Sequence, residues 1–461
     1  MKKFIKFISD ILTSLPLLFL GNSLVFGHSE SNNKIKIIIL LILIIYYLLV
    51  LFFPERKQAG SHKLSVLSHG IRLLRQGCIC SVLQIPVTSN QISMILSDNM
   101  MISPAPNGLN YALVIGNLVL FLLMLAGLFL GGLFRTVISS KQVKPIWYLF
   151  LLLFWWTPVI NLILFHHIGR IARKEFYFEL AKSELDHARQ ENEICKTKYP
   201  VLMVHGIFFR DWQLFSYWGR IPAELRRNGA RIFYGKQQSA QSIEKSAQEL
   251  HRQIHIVLEQ TGAEKINIIA HSKGGLDSRY AIAKLGDSPY IASLTTINTP
   301  HHGCAWVDDL LEKIPASVQN RLDRKYNRIF AMLGDTAPAF LEGVYDLTEK
   351  HSIVFNQECP VPESVYCQCY MSEMKNAFSA PFPLWMSYLY MHHFDGTAKN
   401  DGLVTTESAK LENKAFCLVK PSGKRGISHG DMIDLNRENI DQFDVRECYV
   451  EILKNLKQKG F

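Results

Sequence analysis

The first third of this 461-residue sequence has few acidic residues, and three long stretches of it carry no charge. Residues 1–166 contain four Asp or Glu against 13 Lys or Arg, so nearly all of the net charge of +10 lies there. The uncharged apolar stretches are residues 37–53, 111–134 and 145–165. Each is long enough, or nearly so, to cross about 30 Å of hydrocarbon. This pattern predicts a membrane region with three or four transmembrane helices within residues 1–166.

The other segments of the first third are less regular. Residues 11–26 are apolar but interrupted by Pro16 and small polar residues. They fit either a signal peptide or a first transmembrane helix, and the later apolar runs favour an uncleaved helix. Residues 72–106 contain only short apolar patches, which predicts a loop or an interfacial segment. The charged residues 167–198 are predicted to form a linker helix that leads to a soluble domain, residues 199–461.

Charge outside the membrane region is nearly balanced, and no basic recognition helix or aromatic–basic platform occurs there. This charge pattern excludes nucleic acid as the expected partner, and the membrane remains as the expected one. Basic residues favour the cytoplasmic side of a membrane, but here they flank the apolar runs in conflicting ways. The side that carries the soluble domain therefore stays open, with the cytoplasmic side of a bacterial plasma membrane favoured.

The nine cysteines are odd in number and irregularly spaced, and the sequence has no C-x-x-C motif. Cys78 and Cys80, like Cys367 and Cys369, are separated by a single residue. This spacing excludes a zinc knuckle or a dithiol redox motif of the usual kind. The cysteines are therefore predicted to be free, buried thiols.

The clearest local signal surrounds Ser272. Residues 266–270 form a short apolar run typical of a buried parallel strand, and helical spacing begins at Leu276. Ser272 lies where strand changes to helix, in the pentapeptide A-H-S-K-G. This is the pattern of the nucleophile elbow of α/β-hydrolases, G-x-S-x-G, with Ala270 in place of the first glycine. The alternative interpretation is an ordinary serine before a flexible glycine pair at a helix start.

A second strand signal, residues 200–206, ends in His205 and Gly206. In an α/β-hydrolase the amide after such a pair faces the active site, so the N–H groups of Ile207 and Lys273 are predicted to form an oxyanion hole. A plain strand-to-loop turn is the alternative. Between and after these motifs, segments with helical spacing of apolar residues alternate with short apolar strand-like segments, which predicts a mostly parallel sheet. The predicted elements are a helix over 217–227, a strand over 230–234, a helix over 242–260 and a strand over 293–297.

Five motifs occur in a fixed order: V-H-G, Y-W, A-H-S-K-G-G-L-D-S-R-Y, T-P-H-H-G and N-D-G-L-V. This combination resembles bacterial triacylglycerol lipases of the Pseudomonas, Burkholderia and Firmicutes type. The resemblance covers residues 199–461 and not the membrane region. It implies an α/β-hydrolase fold with a helical lid and a catalytic triad in the chain order Ser, Asp, His. The expected members are Ser272 as nucleophile, Asp401 after a strand end as the orienting acid, and His429 as the base.

Rival residues exist for two of these roles. Asp401 lies in an Asn-Asp-Gly sequence and could be a turn residue, and Asp395 is the alternative acid. The rival histidines are His301, His302, His392 and His393. The histidines of the two strand-end motifs, His205 and His271, are expected to pack rather than react.

The resemblance also bears on metals and on substrate access. It allows a structural calcium ion near Asp431, although no second carboxylate partner is identified, and the zinc site of some Firmicutes lipases matches no residues here. No cofactor is required for the chemistry, and no cofactor-binding residues or metal ligands are assigned. Residues 304–350 occupy the position of an apolar lid, and a plain helical cap is an equal alternative.

These observations predict a membrane-anchored serine hydrolase that cleaves carboxylic esters, with lipid esters favoured, through an acyl-enzyme. A carboxylesterase, a thioesterase or an acyltransferase would use the same triad. A catalytically silent membrane scaffold of the same fold is the alternative from another class, and the intact set of Ser272, Asp401 and His429 argues against it.

Overall fold

The computed structural model describes residues 2–26, 33–54, 61–100, 111–207, 217–332, 334–394, 399–419, 423 and 425–461. The chain divides into two units, Met1–Leu185 and Asp186–Phe461. The first unit is helical and the second contains a parallel sheet. The predicted domain boundary at residues 167–198 lies in the same part of the chain.

The helices of the first unit are α1 (Lys2–Gly21), α2 (Ser23–Phe26), α3 (Asn33–Phe52), α4 (His62–Met100), α5 (Tyr111–Ser139), α6 (Pro145–Leu153) and α7 (Pro158–Arg189), whose last residues belong to the second unit. Two of the described segments, Asn33–Phe52 and Ala112–Ser139, are long and apolar enough to cross a membrane. Only 6% of the apolar stretch of α3 is buried, so this helix exposes a continuous apolar surface. Such surfaces mark contact with a membrane or a partner.

Of the two alternatives predicted for residues 72–106, the loop was wrong for the described part, because α4 is one helix as far as Met100. Residues 101–106 lie outside the described residues. The apolar side chains of α4 recur three or four residues apart and are buried in the core of the unit: Leu64, Leu67, Ile71 and Leu74. This spacing gives a helix one apolar stripe without producing the long uninterrupted run by which a transmembrane helix is recognised.

The apolar run 145–165 is also not one helix. Helix α6 ends at Leu153 and α7 begins at Pro158, since proline has no N–H to donate to the preceding turn. The Asn161 amide donates to the carbonyls of Phe154 and Trp155, at 2.9 Å each, and satisfies backbone groups that the break leaves free. Nine residues of helix span only about 14 Å, so α6 alone is too short to cross a bilayer. The predicted linker helix begins earlier than expected, because it is the continuation of α7.

The second unit is built on six parallel strands: β1 (Val201–Val204), β2 (Ile232–Tyr234), β3 (Ile266–His271), β4 (Ile291–Ile297), β5 (Tyr366–Ser372) and β6 (Ala415–Val419). Their order in the sheet is β2-β1-β3-β4-β5-β6. The remaining helices are α8 (Ile221–Arg227), α9 (Ile243–Thr261), α10 (Lys273–Lys284), α11 (Ala305–Lys313), α12 (Ala316–Met332), α13 (Phe340–Tyr345), α14 (Glu349–Glu358), α15 (Leu384–Phe394) and α16 (Val445–Gln458).

Helices cover both faces of this sheet. One core cluster joins side chains of α8 and α16 to the sheet, and another joins those of α9 and α10. Both faces of β3 and β4 are therefore buried, which is why these strands are continuous apolar or small-residue runs. The predicted α/β class with a parallel sheet is confirmed. The predicted helix 217–227 is shorter than expected, because Tyr217 to Arg220 form a turn and the helix begins at Ile221.

All nine cysteines are free, as predicted, but three are not buried. Cys417 is exposed, and Cys78 and Cys448 are half-buried. Cys367 and Cys369 lie two residues apart on β5 and are both buried. They therefore belong to one face of the sheet, because side chains alternate along a strand.

Residues 304–350 include α11, α12, α13 and the start of α14, and two of their segments are anchored to the rest of the domain. The Trp306 indole N–H in α11 donates to the Leu403 carbonyl at 2.8 Å. The buried Asp335 carboxylate, which follows α12, accepts hydrogen bonds from the Ser239 hydroxyl and the Ala240 N–H. Between these anchors, α12 leaves several apolar side chains exposed at helical spacing: Val318, Leu322, Tyr326 and Ile329.

Candidate active site

Ser272 stands between the last residue of β3 and the first residue of α10. Its backbone has φ 55° and ψ −132°, a region that residues with a side chain rarely occupy. The Ser272 N–H donates to the Ile297 carbonyl at 2.9 Å, and the Ser272 carbonyl accepts from the Thr299 hydroxyl at 2.9 Å. A strained residue persists only where its surroundings hold it, at a cost of about 1–3 kcal/mol. The predicted elbow is therefore present in the backbone geometry.

The small residues of the motif are required by close backbone approaches. A Cβ atom on Gly274 would lie 2.3 Å from the His205 carbonyl oxygen, and one on Gly206 would lie 2.8 Å from the Ser272 Cβ. Both distances are shorter than any real contact of a Cβ atom. The sterically small positions thus bring the His-Gly segment directly against the elbow.

His429 is joined to Asp401. The His429 Nδ1 atom lies 2.7 Å from the Asp401 Oδ2 atom, and the His429 N–H donates to the Asp401 carbonyl at 2.8 Å. The other carboxylate oxygen of Asp401 accepts from the N–H groups of Leu403 and Val404, at 2.9 and 2.8 Å. The carboxylate is fully buried, and both of its oxygens have hydrogen-bond partners. With Asp401 on Nδ1, the Nε2 atom of His429 is left as the proton acceptor.

The expected place of Asp401 after a strand end was wrong. Strand β5 ends at Ser372, and α15 lies between it and Asp401. Asp401 instead occupies a tight turn closed by a bridge between Asn400 and Thr405. A turn residue and the catalytic acid were the two interpretations of Asp401 in Asn-Asp-Gly. In the structure Asp401 lies in a turn, and its carboxylate contacts His429 from there. The rival Asp395 lies outside the described residues.

His429 and the elbow meet at the same edge of the sheet. The ring centroids of His429 and His271 are 4.5 Å apart, and His271 immediately precedes Ser272. His271 is buried, and burial lowers its pKa well below the ordinary value, so its ring is neutral. The structure thus brings the elbow, His429 and Asp401 together, although they are far apart in the sequence.

The amides of Ile207 and Lys273 fit the predicted role of hydrogen-bond donors. Lys273 is the first residue of α10, so its N–H has no acceptor within the helix. The Ile207 N–H has no hydrogen-bond acceptor among the residues that the structure describes. The segment before it is fixed, because the Gly206 N–H donates to the Tyr217 hydroxyl at 2.9 Å and that hydroxyl lies 2.7 Å from His271 Nδ1.

Two further sets of contacts hold the residues on either side of the candidate oxyanion hole, and neither was predicted from the sequence. His205 Nε2 lies 2.9 Å from the Gln237 carbonyl oxygen, and the Gln237 side-chain amide donates to the His205 carbonyl. The buried Lys273 ammonium donates to Asp277 at 2.7 Å and to the Ser246 hydroxyl at 3.0 Å. Burial raises the pKa of Asp277 to about 7 despite this pairing. The spacing of four residues between a lysine and an aspartate on one helix was the available signal.

The rival histidines have other partners. His301 is buried, and its ring contacts Arg279 and Thr296 rather than a carboxylate. His302 lies near the Asn356 amide, and His392 stacks on Tyr388 within α15. His393 is exposed at the end of the same helix.

Asp431 does not fit a calcium ion. One of its carboxylate oxygens accepts from the N–H and the hydroxyl of Ser428, and the other accepts from Arg425. Calcium takes six to eight oxygen ligands, most of them from several carboxylates and carbonyls. Asp431 is in neither of the clusters of possible metal ligands among the described residues. Arginine supplies the positive charge here.

The chain is similar to several known proteins. Residues 200–360 match the family model of palmitoyl protein thioesterase. The chain is 31% identical over 176 residues to a triacylglycerol lipase of Pseudarthrobacter phenanthrenivorans, covering 36% of this chain and 54% of that protein. It is 27% identical over 271 residues to triacylglycerol lipase 2 of Saccharomyces cerevisiae, covering 53% and 74%. It is also similar to the crystal structure of Staphylococcus hyicus lipase, at 18% identity and a TM-score of 0.45, covering 57% and 98%.

The parallel sheet and the serine elbow give residues 199–461 an α/β-hydrolase fold, and the sequence matches show that the chain is similar to triacylglycerol lipases. The predicted resemblance to bacterial triacylglycerol lipases is therefore confirmed for this part of the chain. The chain spans about half the length of the curated bacterial lipases it matches.

Proposed function

We propose that this chain is a membrane-anchored serine hydrolase that cleaves carboxylic esters through an acyl-enzyme. The observation that carries the proposal is the 2.7 Å contact between His429 and a fully buried Asp401, at the sheet edge where Ser272 forms its elbow. A histidine oriented in this way is a general base for a neighbouring hydroxyl. The membrane anchor is supported by the two long apolar helices α3 and α5.

In the proposed reaction, His429 Nε2 takes the Ser272 proton while the hydroxyl oxygen attacks the ester carbonyl. Asp401 keeps the proton on Nδ1 and stabilises the imidazolium that forms. The N–H groups of Ile207 and Lys273 bind the oxyanion of the tetrahedral intermediate. The imidazolium then gives its proton to the leaving alcohol, which leaves an acyl-serine. Water, activated by the same histidine, releases the carboxylic acid.

A lipid ester is the substrate we favour, and α12 supports it. This helix exposes Val318, Leu322 and Ile329 on one stripe, and it carries the basic residues Arg321, Arg324 and Arg328 at similar spacing. Helices with an apolar stripe and a basic face adsorb to lipid surfaces. We therefore propose that α12 is the lid part of residues 304–350, and that α11 is fixed as a cap by Trp306.

A thioester of a long-chain acid is the second candidate substrate. The match of residues 200–360 to palmitoyl protein thioesterase favours it. The triad would act in the same way, with a thiol as the leaving group. Esters and thioesters of one acyl chain, assayed side by side, distinguish the two.

The test is labelling of the full-length chain in detergent with a fluorophosphonate, which reacts only with activated serine hydroxyls. We expect wild type and Ser364→Ala to be labelled, because Ser364 is exposed and remote from the elbow in sequence. We expect Ser272→Ala to remain unlabelled. Absence of labelling in folded wild type would refute the enzyme and favour a silent scaffold. Labelling that survives Ser272→Ala would refute the assignment of the nucleophile.

A further inference from the structure

Two histidines of α9 and one buried aspartate form a second cluster in the hydrolase domain. The His251 Nδ1 atom lies 2.8 Å from Asp287 Oδ1, and the His255 Nε2 atom lies 3.2 Å from the same oxygen. The three donor atoms are all within 4.8 Å of one another. Imidazole nitrogen and carboxylate oxygen are the ligands that zinc and related divalent metals use in proteins.

The chain builds this cluster from two separate elements. His251 and His255 are four residues apart on α9, so their side chains lie on the same face of the helix. Asp287 follows α10, where Gly286 turns the chain with φ 80°. The aspartate precedes β4, whereas Ser272 follows the end of β3, and these strands are parallel. The cluster therefore lies at the end of the sheet opposite to the elbow.

The aspartate is incompletely satisfied. Both histidines contact Asp287 Oδ1, while Asp287 Oδ2 is buried and has no hydrogen-bond partner among the described residues. The residue as a whole has no exposed surface. Burying a carboxylate oxygen without a donor is costly, on the order of 1–3 kcal/mol. A cation bound at Oδ1, between the two histidines, would neutralise the charge of the buried carboxylate and lessen that cost.

The distances are those of hydrogen bonds, and a bound metal ion would require only small shifts of the side chains. Ligand atoms about 2.0–2.1 Å from a tetrahedral zinc ion are roughly 3.3 Å apart. The two nitrogen-to-oxygen distances, 2.8 and 3.2 Å, are close to that separation. Both histidine side chains are 37% exposed, which leaves an approach from solvent for the ion and for a water molecule as the fourth ligand.

We propose that His251, His255 and Asp287 bind one divalent transition-metal ion, with zinc as the ion that fits two imidazoles and a carboxylate. The ion joins α9 to the connection between α10 and β4. Its position away from Ser272 makes its role structural rather than catalytic. Because such an ion binds the folded chain, its binding free energy adds to the stability of the domain.

The same residues without a metal would be an ordinary pair of histidines hydrogen-bonded to an aspartate. The chain contains a matched example of that simpler arrangement. His351 Nδ1 lies 3.1 Å from Asp346 Oδ1, its side chain is 36% exposed, and it is in neither of the possible metal clusters found among the described residues. His351→Gln is therefore the control for replacing a half-exposed histidine beside a carboxylate.

The experiment uses the full-length chain in detergent, purified with a tag that contains no histidine and stripped of metal with a chelator. Titration with zinc chloride by calorimetry gives the stoichiometry and affinity, and thermal unfolding gives the stabilisation. We expect one zinc ion per chain and a higher Tm. Loss of a residue that merely supports a ligand lowers metal affinity about 10–100-fold. Loss of a direct ligand in His251→Gln or His255→Gln should lower it at least as much, and His351→Gln should not.

A second readout is the visible absorption of bound cobalt, which is much stronger for a tetrahedrally coordinated ion than for the octahedral ion in water. It should be lost in both α9 variants. Zinc binding that is equal in wild type and in these variants would overturn the proposal, as would no binding by a wild-type chain that unfolds cooperatively. Both histidines are half-exposed, so their variants remain informative if Asp287→Asn does not fold.

Discussion

Asp401 and Asp287 are both fully buried aspartates that contact histidines, yet their surroundings differ. Two backbone N–H groups bind one oxygen of Asp401, and the other oxygen is left for a single histidine. Two histidines share one oxygen of Asp287, and its other oxygen has no donor among the described residues. A carboxylate with hydrogen-bond donors on both oxygens orients a base. A buried carboxylate with two imidazoles on one oxygen and no donor on the other is suited to a cation. Residue type alone does not separate these roles.

The sharpest test of this comparison exchanges one oxygen for an amide at each position. Asp401→Asn should lower kcat about 10⁴-fold, the size of the effect in a serine protease triad, because His429 is then held in the wrong tautomer. It should leave zinc binding unchanged. Asp287→Asn should have the reverse effect, with weak zinc binding and ordinary fluorophosphonate labelling. A parallel loss of both properties in either variant would show that the two sites are not independent.

A third buried aspartate, Asp277, extends the comparison to a lysine partner. Lys273→Gln leaves the buried Asp277 without its ammonium donor, and an unsatisfied buried group of this kind costs about 1–3 kcal/mol. We expect a clearly lower Tm than that of Lys284→Gln, which removes an ion pair between two exposed residues, Lys284 and Glu358. Equal Tm values for the two variants would contradict the structural role of the Lys273 pair.

The pKa of Asp277 predicts a pH effect of defined sign. Its folded-state pKa is raised to about 7 from the model-compound value of 3.8, so the folded chain binds more protons than the unfolded chain between these values. This group therefore contributes stability that is fully present below pH 3.8 and is lost as pH rises through about 7. Relative to wild type, Asp277→Asn should flatten the decline in unfolding free energy across this interval. A difference between the two proteins that does not change with pH would contradict this assignment.

The smallest effect is expected at Tyr217, which supports the oxyanion hole without touching the substrate. Tyr217→Phe leaves the buried Gly206 N–H without an acceptor, which lowers the free energy of unfolding by about 1–3 kcal/mol. We expect lower kcat with little change in KM, because the Ile207 amide acts on the transition state. A change in KM alone would instead indicate a role in substrate binding.

The elbow and its glycines could be predicted because their chemistry is local. A serine between a buried strand and a helix, with small residues on both sides, is typical of the nucleophile elbow and of few other local structures. The same is true of β1, β3 and α9, whose apolar periodicity matches the elements observed. Helix α4 was missed because a search for uninterrupted apolar runs does not register a stripe of one apolar residue per turn. The break between α6 and α7 was missed although Pro158 marks it.

The sequence by itself therefore determined the parallel sheet, the strained serine and the likeness to lipases, since these depend on residues that are neighbours along the chain. Only the tertiary structure decided that Asp401 serves His429 from a turn, that Tyr217 connects Gly206 with His271, and that Asp431 is bound by Arg425. It also brought Asp287 to the two histidines of α9. Such contacts join residues that are distant in sequence, and their geometry depends on how the strands and helices pack. The charge and burial of each aspartate, and hence its chemistry, follow from that packing.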